Sequence, residues 1–188
     1  MKRLERAALL SSLARELIEK GSWCGETHLQ KATYLLQEVF AVPTAFDFVL
    51  YKYGPFSFDL RDEIGSMLAD GLLELSPAQP YGPRLIPTDR SKQLEKQFSN
   101  IIAEYREPIS FCAHRLGSLG VAELEKLATA LYVTKEQGRD LKAKQRAKRL
   151  NELKPHISSK DAIEAINEID QLLAQVEVEE KPVARAVR

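Results

Sequence analysis

The most constraining feature of the sequence is an aromatic run that ends at Gly54 and Pro55 and is followed by Ser57. Residues 46–53 alternate between two faces and are rich in aromatic and β-branched side chains, which predicts a strand. Gly54 lets the backbone bend, Pro55 presets φ, and Ser57 can cap a following helix. We therefore predict that Tyr53, Gly54 and Pro55 form a fixed turn from strand to helix.

Two helices precede this turn and one follows it. Apolar residues recur at helical spacing over residues 4–20, and Gly21 ends that first helix. Thr27 with Gln30 three residues later is a capping-box pattern, which predicts the start of a second helix. A third helix is expected from Ser57 until Gly71.

Two short strands are predicted after the third helix, at residues 72–76 and 84–87, with a turn at 77–83. The resulting order is helix, helix, strand, helix and a two-stranded hairpin. This is the order of a winged helix, in which the hairpin forms the wing. The sequence thus predicts a mainly α fold with a small β component, and a winged-helix-type module over residues 1–87.

The rest of the chain is predicted to be helical. Residues 88–175 are expected to form a helical extension, which begins with a long apolar stripe. Pro108 lies within that stripe and is expected to kink the helix or split it in two. Ser158 with Asp161 resembles a capping box and predicts the start of the last helix. Residues 176–188 are expected to be a disordered tail.

Composition is that of a cytoplasmic globular protein. Lysine and arginine number 27 and aspartate and glutamate number 27, so the formal net charge is zero. No run approaches the roughly 18 apolar residues that a membrane helix needs, so no membrane association is expected. Cys24 and Cys112 lie far apart without metal-ligand spacing, which predicts reduced thiols, no structural metal and no cofactor.

Catalysis is not indicated by any motif in the sequence. The chain has no phosphate-binding loop, no dinucleotide-binding glycine pattern, no nucleophile elbow and no metalloprotease helix. His28, His114 and His156 lie in three separate helical regions, and His28 is expected on the surface of a first helical turn. The sequence therefore predicts a protein that is not an enzyme.

A family resemblance is carried by residues 29–37 and by the Tyr-Gly-Pro segment at 51–57. Both resemble the YwgA-like proteins and, more distantly, the Panacea (SocA-like) antitoxin domain, which share a lysine-containing helix, a strand ending in Tyr-Gly-Pro and a Ser-capped helix. Leu153, Lys154 and Pro155 resemble the YwgA-like C-terminus. The resemblance implies a winged-helix fold and, for Panacea domains, neutralisation of a toxin by protein contact.

Charge distribution bears on whether the partner is nucleic acid. The third helix has one basic residue, Arg61, among four acidic ones, so phosphates would be repelled from it. A basic run over residues 135–154 is compatible with a solvated helix or with an electrostatic footprint. Our first hypothesis is a DNA-associated transcriptional regulator. The residues assigned to its phosphate contacts are Lys31, Lys52, Arg84, Lys142, Lys144, Arg146, Lys148 and Arg149.

The competing hypothesis is a protein-interaction module, of the kind found in antitoxins or defence-associated adaptors. Its interface would be the acidic third helix, with Asp59, Asp62 and Glu63 facing a basic partner. A second copy of the chain could also supply that partner through its basic run, which would make a homodimer.

Aromatic and basic residues near the turn allow either a binding or a packing role. Lys31, Tyr34, Tyr51 and Lys52 could flank one face of the module, or could pack within it. Phe56 is expected to pack into the core.

Overall fold

A computed structural model of the chain describes residues 1–77 and 82–180. These residues are mainly helical, with two small antiparallel sheets of two strands each, which confirms the predicted mainly α fold with a small β component. The chain divides into two compact units, Met1–Leu124 and Glu125–Arg188. In the described part of the chain, no helix is long and apolar enough to cross a membrane.

Helices and short strands make up the first unit. Its elements are α1 (Arg3–Glu19), α2 (Glu26–Phe40), β1 (Val49–Tyr51), β2 (Gly54–Phe56), α3 (Phe58–Ala69), β3 (Leu73–Ser76), β4 (Arg84–Pro87), α4 (Asp89–Gln97), α5 (Ser99–Glu104) and α6 (Arg106–Leu116). A further helix, α7 (Val121–Gln137), begins in the first unit and continues into the second.

The core of the first unit is built around α1. Every residue from Ala7 to Ala14 is buried, including Ser11 and Ser12, because α2, α4, α6 and β4 all pack against this helix. A helix that is covered on all sides is a core helix rather than a surface helix. The predicted module ended at residue 87, whereas the first compact unit also includes α4, α5 and α6, which pack around α1.

The Tyr-Gly-Pro segment forms a β-hairpin rather than the predicted turn from strand to helix. Leu50 pairs with Pro55 and Tyr51 pairs with Gly54, so Gly54 and Pro55 belong to the returning strand. The predicted strand at residues 46–53 is correspondingly shorter. Gly54 has a φ of +84°, a conformation that favours glycine and lets the chain turn back directly after Tyr53. Proline is tolerated because each strand of a two-stranded sheet is an edge strand.

Of the two helix caps predicted in this region, the one at the start of α3 is confirmed and the one at the start of α2 is not. Ser57 caps α3 as predicted, since its Oγ accepts a hydrogen bond from the Leu60 amide at 3.2 Å. The predicted capping box of Thr27 and Gln30 is wrong, because the N-cap of α2 is Gly25, two residues earlier, and α2 has no side-chain cap. Gln30 is instead buried.

The hairpin predicted after the third helix is confirmed, with β3 and β4 pairing antiparallel from Leu73↔Pro87 to Ser76↔Arg84. Part of its predicted turn, residues 78–81, lies outside the described residues.

The long helix predicted around Pro108 is divided into three short helices. The helix is interrupted at Phe98 and again at Tyr105, and α6 then begins at Arg106. Pro108 therefore lies in the first turn of α6, where backbone amides have no partner within the helix and proline is tolerated.

Helices form the described part of the second unit. They are the remainder of α7, followed by α8 (Ala143–Leu153) and α9 (Ser159–Glu180). Their apolar faces meet in a core that includes Leu131, Leu150 and Ile166. The Ser158 Oγ accepts a hydrogen bond from the Asp161 amide at 3.1 Å, as the sequence predicted. The tail predicted from residue 176 begins within α9, and residues 181–188 lie outside the described residues.

Candidate functional site

Two side chains of α2 hold the junction between β2 and α3. The Gln30 amide makes two hydrogen bonds with the Ser57 backbone: Nε2 donates to the carbonyl oxygen at 2.8 Å, and Oε1 accepts from the amide at 2.9 Å. The neighbouring Lys31 donates from Nζ to the Pro55 carbonyl oxygen at 2.7 Å. We call Gln30 and Lys31 the α2 clamp. It is buried, and it fixes the hairpin and the start of α3.

The clamp settles which role Lys31 plays in this structure. Its side chain is 3% exposed, so it cannot reach an external phosphate, and its assignment to nucleic-acid contact is corrected. Tyr34 is also buried and meets Phe48 edge to face, with ring centroids 4.9 Å apart. Both residues therefore pack within the unit rather than flank a binding face.

Three aromatic rings lie together at the surface where the hairpin meets α3. We call Tyr51, Phe56 and Phe58 the aromatic cluster; their ring centroids are 5.2–5.8 Å apart. Tyr51 is 55% exposed and Phe58 is 50% exposed, and Phe56 is half-buried rather than in the core as expected. The Arg61 guanidinium lies 5.4 Å from the centroid of the Phe56 ring. Large exposed aromatic groups in contact with one another are typical of interaction surfaces.

The acidic residues of α3 divide into an exposed set and a neutralised set. Asp59 and Asp62, which we call the acidic pair, are exposed, and neither forms an ion pair within the described residues. Glu63 is 7% exposed and lies 3.3 Å from Arg3 Nε and 3.4 Å from Arg6 Nη2. Its buried position corrects its assignment to a protein interface.

An open groove of about 850 Å³ runs along another side of α3. We call it the Trp23 groove. Its walls are mainly apolar and come from Trp23, Ile64, Leu68, Leu75, Leu119 and Val121. Polar groups are few: Arg61 Nε lies 3.3 Å from Glu26 Oε1, and His28 also lines the groove. Arg61 thus contacts both the aromatic cluster and a groove residue.

His28 is buried, which corrects its predicted place on the helix surface. Its Nε2 lies 3.0 Å from the Leu119 carbonyl oxygen, which can only accept, so Nε2 carries the hydrogen. Loss of hydration lowers the pKa of His28, and the hydrogen bond to Leu119 opposes this in part. The imidazole is therefore neutral at pH 7 and ties the segment between α6 and α7 to the start of α2.

Part of the predicted basic surface is neutralised inside the second unit. Arg146 is 3% exposed and makes a two-pronged contact with Asp170 at 2.8 and 2.7 Å, so its assignment to phosphate contact is corrected. Arg149 pairs with Glu136 at 3.0 Å. Lys154 and Arg139 pair with acidic residues of the same unit. Three lysines remain exposed with no ion pair within the described residues: Lys142, Lys144 and Lys148.

The remaining residues assigned to phosphate contact lie in the first unit. Arg84 donates from Nε to the Trp23 carbonyl oxygen at 3.1 Å, and its guanidinium lies 5.8 Å from the Trp23 ring centroid. Lys52 is exposed, with Nζ 5.3 Å from the centroid of the Tyr53 ring. Lys52 and Arg84 therefore belong to a different compact unit from the three exposed lysines.

Sequence reasoning did not single out Trp23, Phe58 or Gly65, which contribute to the two surfaces. Two signals in the sequence could have pointed to them: Trp23 is the only tryptophan of the chain, and Gly65 is a glycine within a predicted helix. Within the described residues, no group of three or more His, Cys, Asp or Glu side chains is arranged to hold a metal ion.

Comparison with known proteins adds no identification: no protein-family model matches the chain, and no curated protein matches it. The resemblance of the Tyr-Gly-Pro segment to YwgA-like and Panacea proteins therefore stays a prediction.

Proposed function

We propose that this protein is a non-enzymatic protein-interaction module whose first unit, a winged-helix-type module, binds a cationic segment of a partner protein. The observation that carries the proposal is the exposed aromatic cluster beside the acidic pair at the start of α3. The antitoxin-like or adaptor-like role implied by the Panacea resemblance is one form of this function. We retain the cytoplasm as its predicted location.

The chemistry of this surface matches lysine and arginine side chains. A cation gains about 0.5–1 kcal/mol from the face of an exposed aromatic ring, and more when water is excluded. Carboxylates of the acidic pair add charge-assisted hydrogen bonds, for which arginine offers a planar fork. Aromatic side chains are also the commonest anchors of protein interfaces.

Binding of a duplex by α3 is disfavoured by the same residues. The acidic pair points its charge to solvent at the helix that would enter the major groove, and phosphates would be repelled there. Lys31 and Arg146 are buried and cannot contact phosphates, which weakens the DNA hypothesis further.

The test is binding to an array of short synthetic peptides that differ only in arginine, lysine and neutral polar content. We expect arginine-containing peptides to bind, with an affinity that falls as salt is raised, because exposed charges are screened. Replacing Asp59→Asn and Asp62→Asn should weaken binding about three- to tenfold, since each exposed charge contact contributes about 0.2–1 kcal/mol. Fluorescence anisotropy of labelled peptides measures the change.

One control and one further variant test whether binding depends on this surface rather than on acidic charge in general. Glu19→Gln with Glu107→Gln removes the same amount of charge from exposed positions on α1 and α6 and should leave binding unchanged. Phe58→Leu keeps an apolar group but removes a ring face, so it should weaken the peptide contact. Equal binding by the acidic-pair variant and its control would reject the proposal.

A second candidate function is DNA association through Lys142, Lys144 and Lys148, and it is supported by their exposure without ion pairs in the described structure. Three phosphate contacts predict a salt slope of about −3 for duplex affinity. Replacing the three lysines by alanine should abolish that slope. Absence of duplex binding at low salt would rule this candidate out.

A further inference from the structure

Gly65 has no structural reason to be glycine within the described unit. It lies inside α3 with helical backbone, where glycine costs about 1 kcal/mol relative to alanine. A Cβ built at this position would have no atom within 4 Å. The space above Gly65 is the Trp23 groove, so the missing side chain leaves the groove open down to the helix backbone.

The walls of the groove include apolar side chains that the fold leaves in contact with water. Leu75 is 52% exposed and Val121 is 40% exposed, and they line the groove together with the buried Ile64 and Leu85. A volume of about 850 Å³ falls in the range of ligand pockets and holds more than one large side chain. Water expelled from such walls favours binding of an apolar group.

The groove is continuous with the proposed binding surface. Arg61 lies 5.4 Å from the Phe56 ring centroid in the aromatic cluster and 3.3 Å from Glu26 in the groove. Gly65 lies three residues after Asp62, so Asp62 and the groove residue Gly65 are neighbours on the surface of α3. One bound segment can therefore contact both.

We propose that the Trp23 groove receives a bulky apolar side chain of the same cationic partner segment; this inference rests on the proposed function. From Asp59 to Gly65 the helix rises about 9 Å, at 1.5 Å per residue. An extended peptide covers that distance in about three residues, at roughly 3.3 Å each. The recognised segment thus carries an arginine or lysine about three residues from a leucine, isoleucine, methionine or aromatic residue.

The charges at the groove favour a peptide over a small anion. Arg61, the cation that lines the groove, is already paired with Glu26, so this end has no net positive charge to hold an acidic ligand. Asp62, which neighbours Gly65 on α3, is exposed and forms no ion pair within the described residues, so it favours a cation on the occupant.

The test compares two synthetic peptides: one with arginine and leucine three residues apart, and the same peptide with alanine in place of leucine. We expect the leucine peptide to bind wild-type protein about tenfold more tightly, because the groove removes its side chain from water. Gly65→Leu places a bulky side chain in the groove beside the α3 backbone, where it competes with the leucine of the peptide, and should abolish this advantage. Gly65→Ala is the matched control and should keep most of it.

Folding of both variants can be checked directly. Alanine and leucine are better helix formers than glycine, and the space above Gly65 is open, so neither variant should unfold more easily than the wild type. Thermal unfolding measures this.

Each outcome bears on a different claim. Equal binding of the two peptides, with both dependent on the acidic pair, overturns the groove assignment and leaves the proposed function in place. An advantage for the leucine peptide that survives Gly65→Leu overturns it as well. No binding of either peptide overturns both claims. The apolar dye anilinonaphthalene sulfonate gives a further readout. If the wild type binds the dye, Gly65→Leu does not, and the leucine peptide has no advantage over the alanine peptide, the groove is a small-molecule pocket and the peptide assignment is overturned.

Discussion

Gly117 is a position where the backbone leaves no room for a side chain. A Cβ there would lie 2.6 Å from Lys20 Cβ and 2.7 Å from the Ala113 carbonyl oxygen. The end of α6 therefore approaches the end of α1 more closely than any other residue type allows. The close approach also places the next residues, Ser118 and Leu119, along the Trp23 groove.

We expect Gly117→Ala to lower the free energy of unfolding by about 1–3 kcal/mol, because an added methyl group would force the two helix ends apart. Gly65→Ala is the matched control, since Gly65 is also helical but has open space around its missing side chain. Urea unfolding of both variants measures the difference. Equal stability of Gly117→Ala and wild type would show that the two ends separate at no cost.

At the scale of elements, the α2 clamp connects a helix to a hairpin that has little core of its own. β1 and β2 have three residues each, and an isolated two-stranded hairpin is marginal in water. The hydrogen bonds from Gln30 and Lys31 supply the missing constraint. The aromatic cluster depends on this constraint for its position.

Gln30→Ala should therefore lower the free energy of unfolding by about 1–3 kcal/mol, because it leaves the buried Ser57 amide without a partner and the Ser57 carbonyl oxygen with only the Arg61 amide. It should also weaken peptide binding, since Phe56 and Phe58 flank Ser57 directly. Gln93→Ala, at an exposed position of α4, is the control and should change neither quantity. Unchanged stability of Gln30→Ala would mean that water replaces both hydrogen bonds.

His28 makes the link between α2 and the segment before α7 sensitive to pH. Its pKa in the folded protein is lowered, so the unfolded state binds the proton more readily. Its contribution to stability is complete above the unfolded pKa of about 6.5 and is lost as the pH falls below that value. We expect His28→Gln to flatten the decline in stability between about pH 7 and pH 5, measured by denaturant unfolding. His114→Gln, at an exposed site, should not.

Local patterns in the sequence predicted the elements better than their contacts. Helical spacing located α1, α2 and α3, and the Ser57 cap follows from its own neighbours. The ion pair of Glu63 with Arg3 depends on residues 60 positions apart along the chain, and the bond of Lys31 to Pro55 depends on the hairpin. No local pattern in the sequence distinguishes such buried charges from solvated ones. Glu63 and Lys31 were therefore both predicted to lie on binding surfaces.

At the scale of the whole molecule, each compact unit has ion pairs of its own that involve a buried side chain. The ion pair of Arg3 with Glu63 lies within the first unit, and those of Arg146 with Asp170 and Lys154 with Glu125 lie within the second. Each unit also has an apolar core of its own. The numbers of basic and acidic residues are equal over the whole sequence, so the formal net charge is zero and long-range steering of a partner is expected to be weak.

We expect Arg146→Met to destabilise the second unit by about 3 kcal/mol, because it leaves the Asp170 carboxylate without its partner. Hydrogen exchange should rise in residues 125–180 and stay unchanged in residues 1–124, where peptide binding is proposed. Lys148→Met, which removes an exposed charge from the same helix, is the control. Faster exchange throughout both units would show that they unfold together.

The α2 clamp also defines a signature by which distant relatives can be recognised. Gln30 and Lys31 are adjacent, and their partners Pro55 and Ser57 follow at spacings fixed by the length of α2 and the hairpin. A glutamate in place of Gln30 could not donate, and an asparagine would be too short. Chains that retain Gln-Lys and a later Pro-x-Ser at this spacing are expected to share the hairpin geometry, even where every apolar residue around it has diverged.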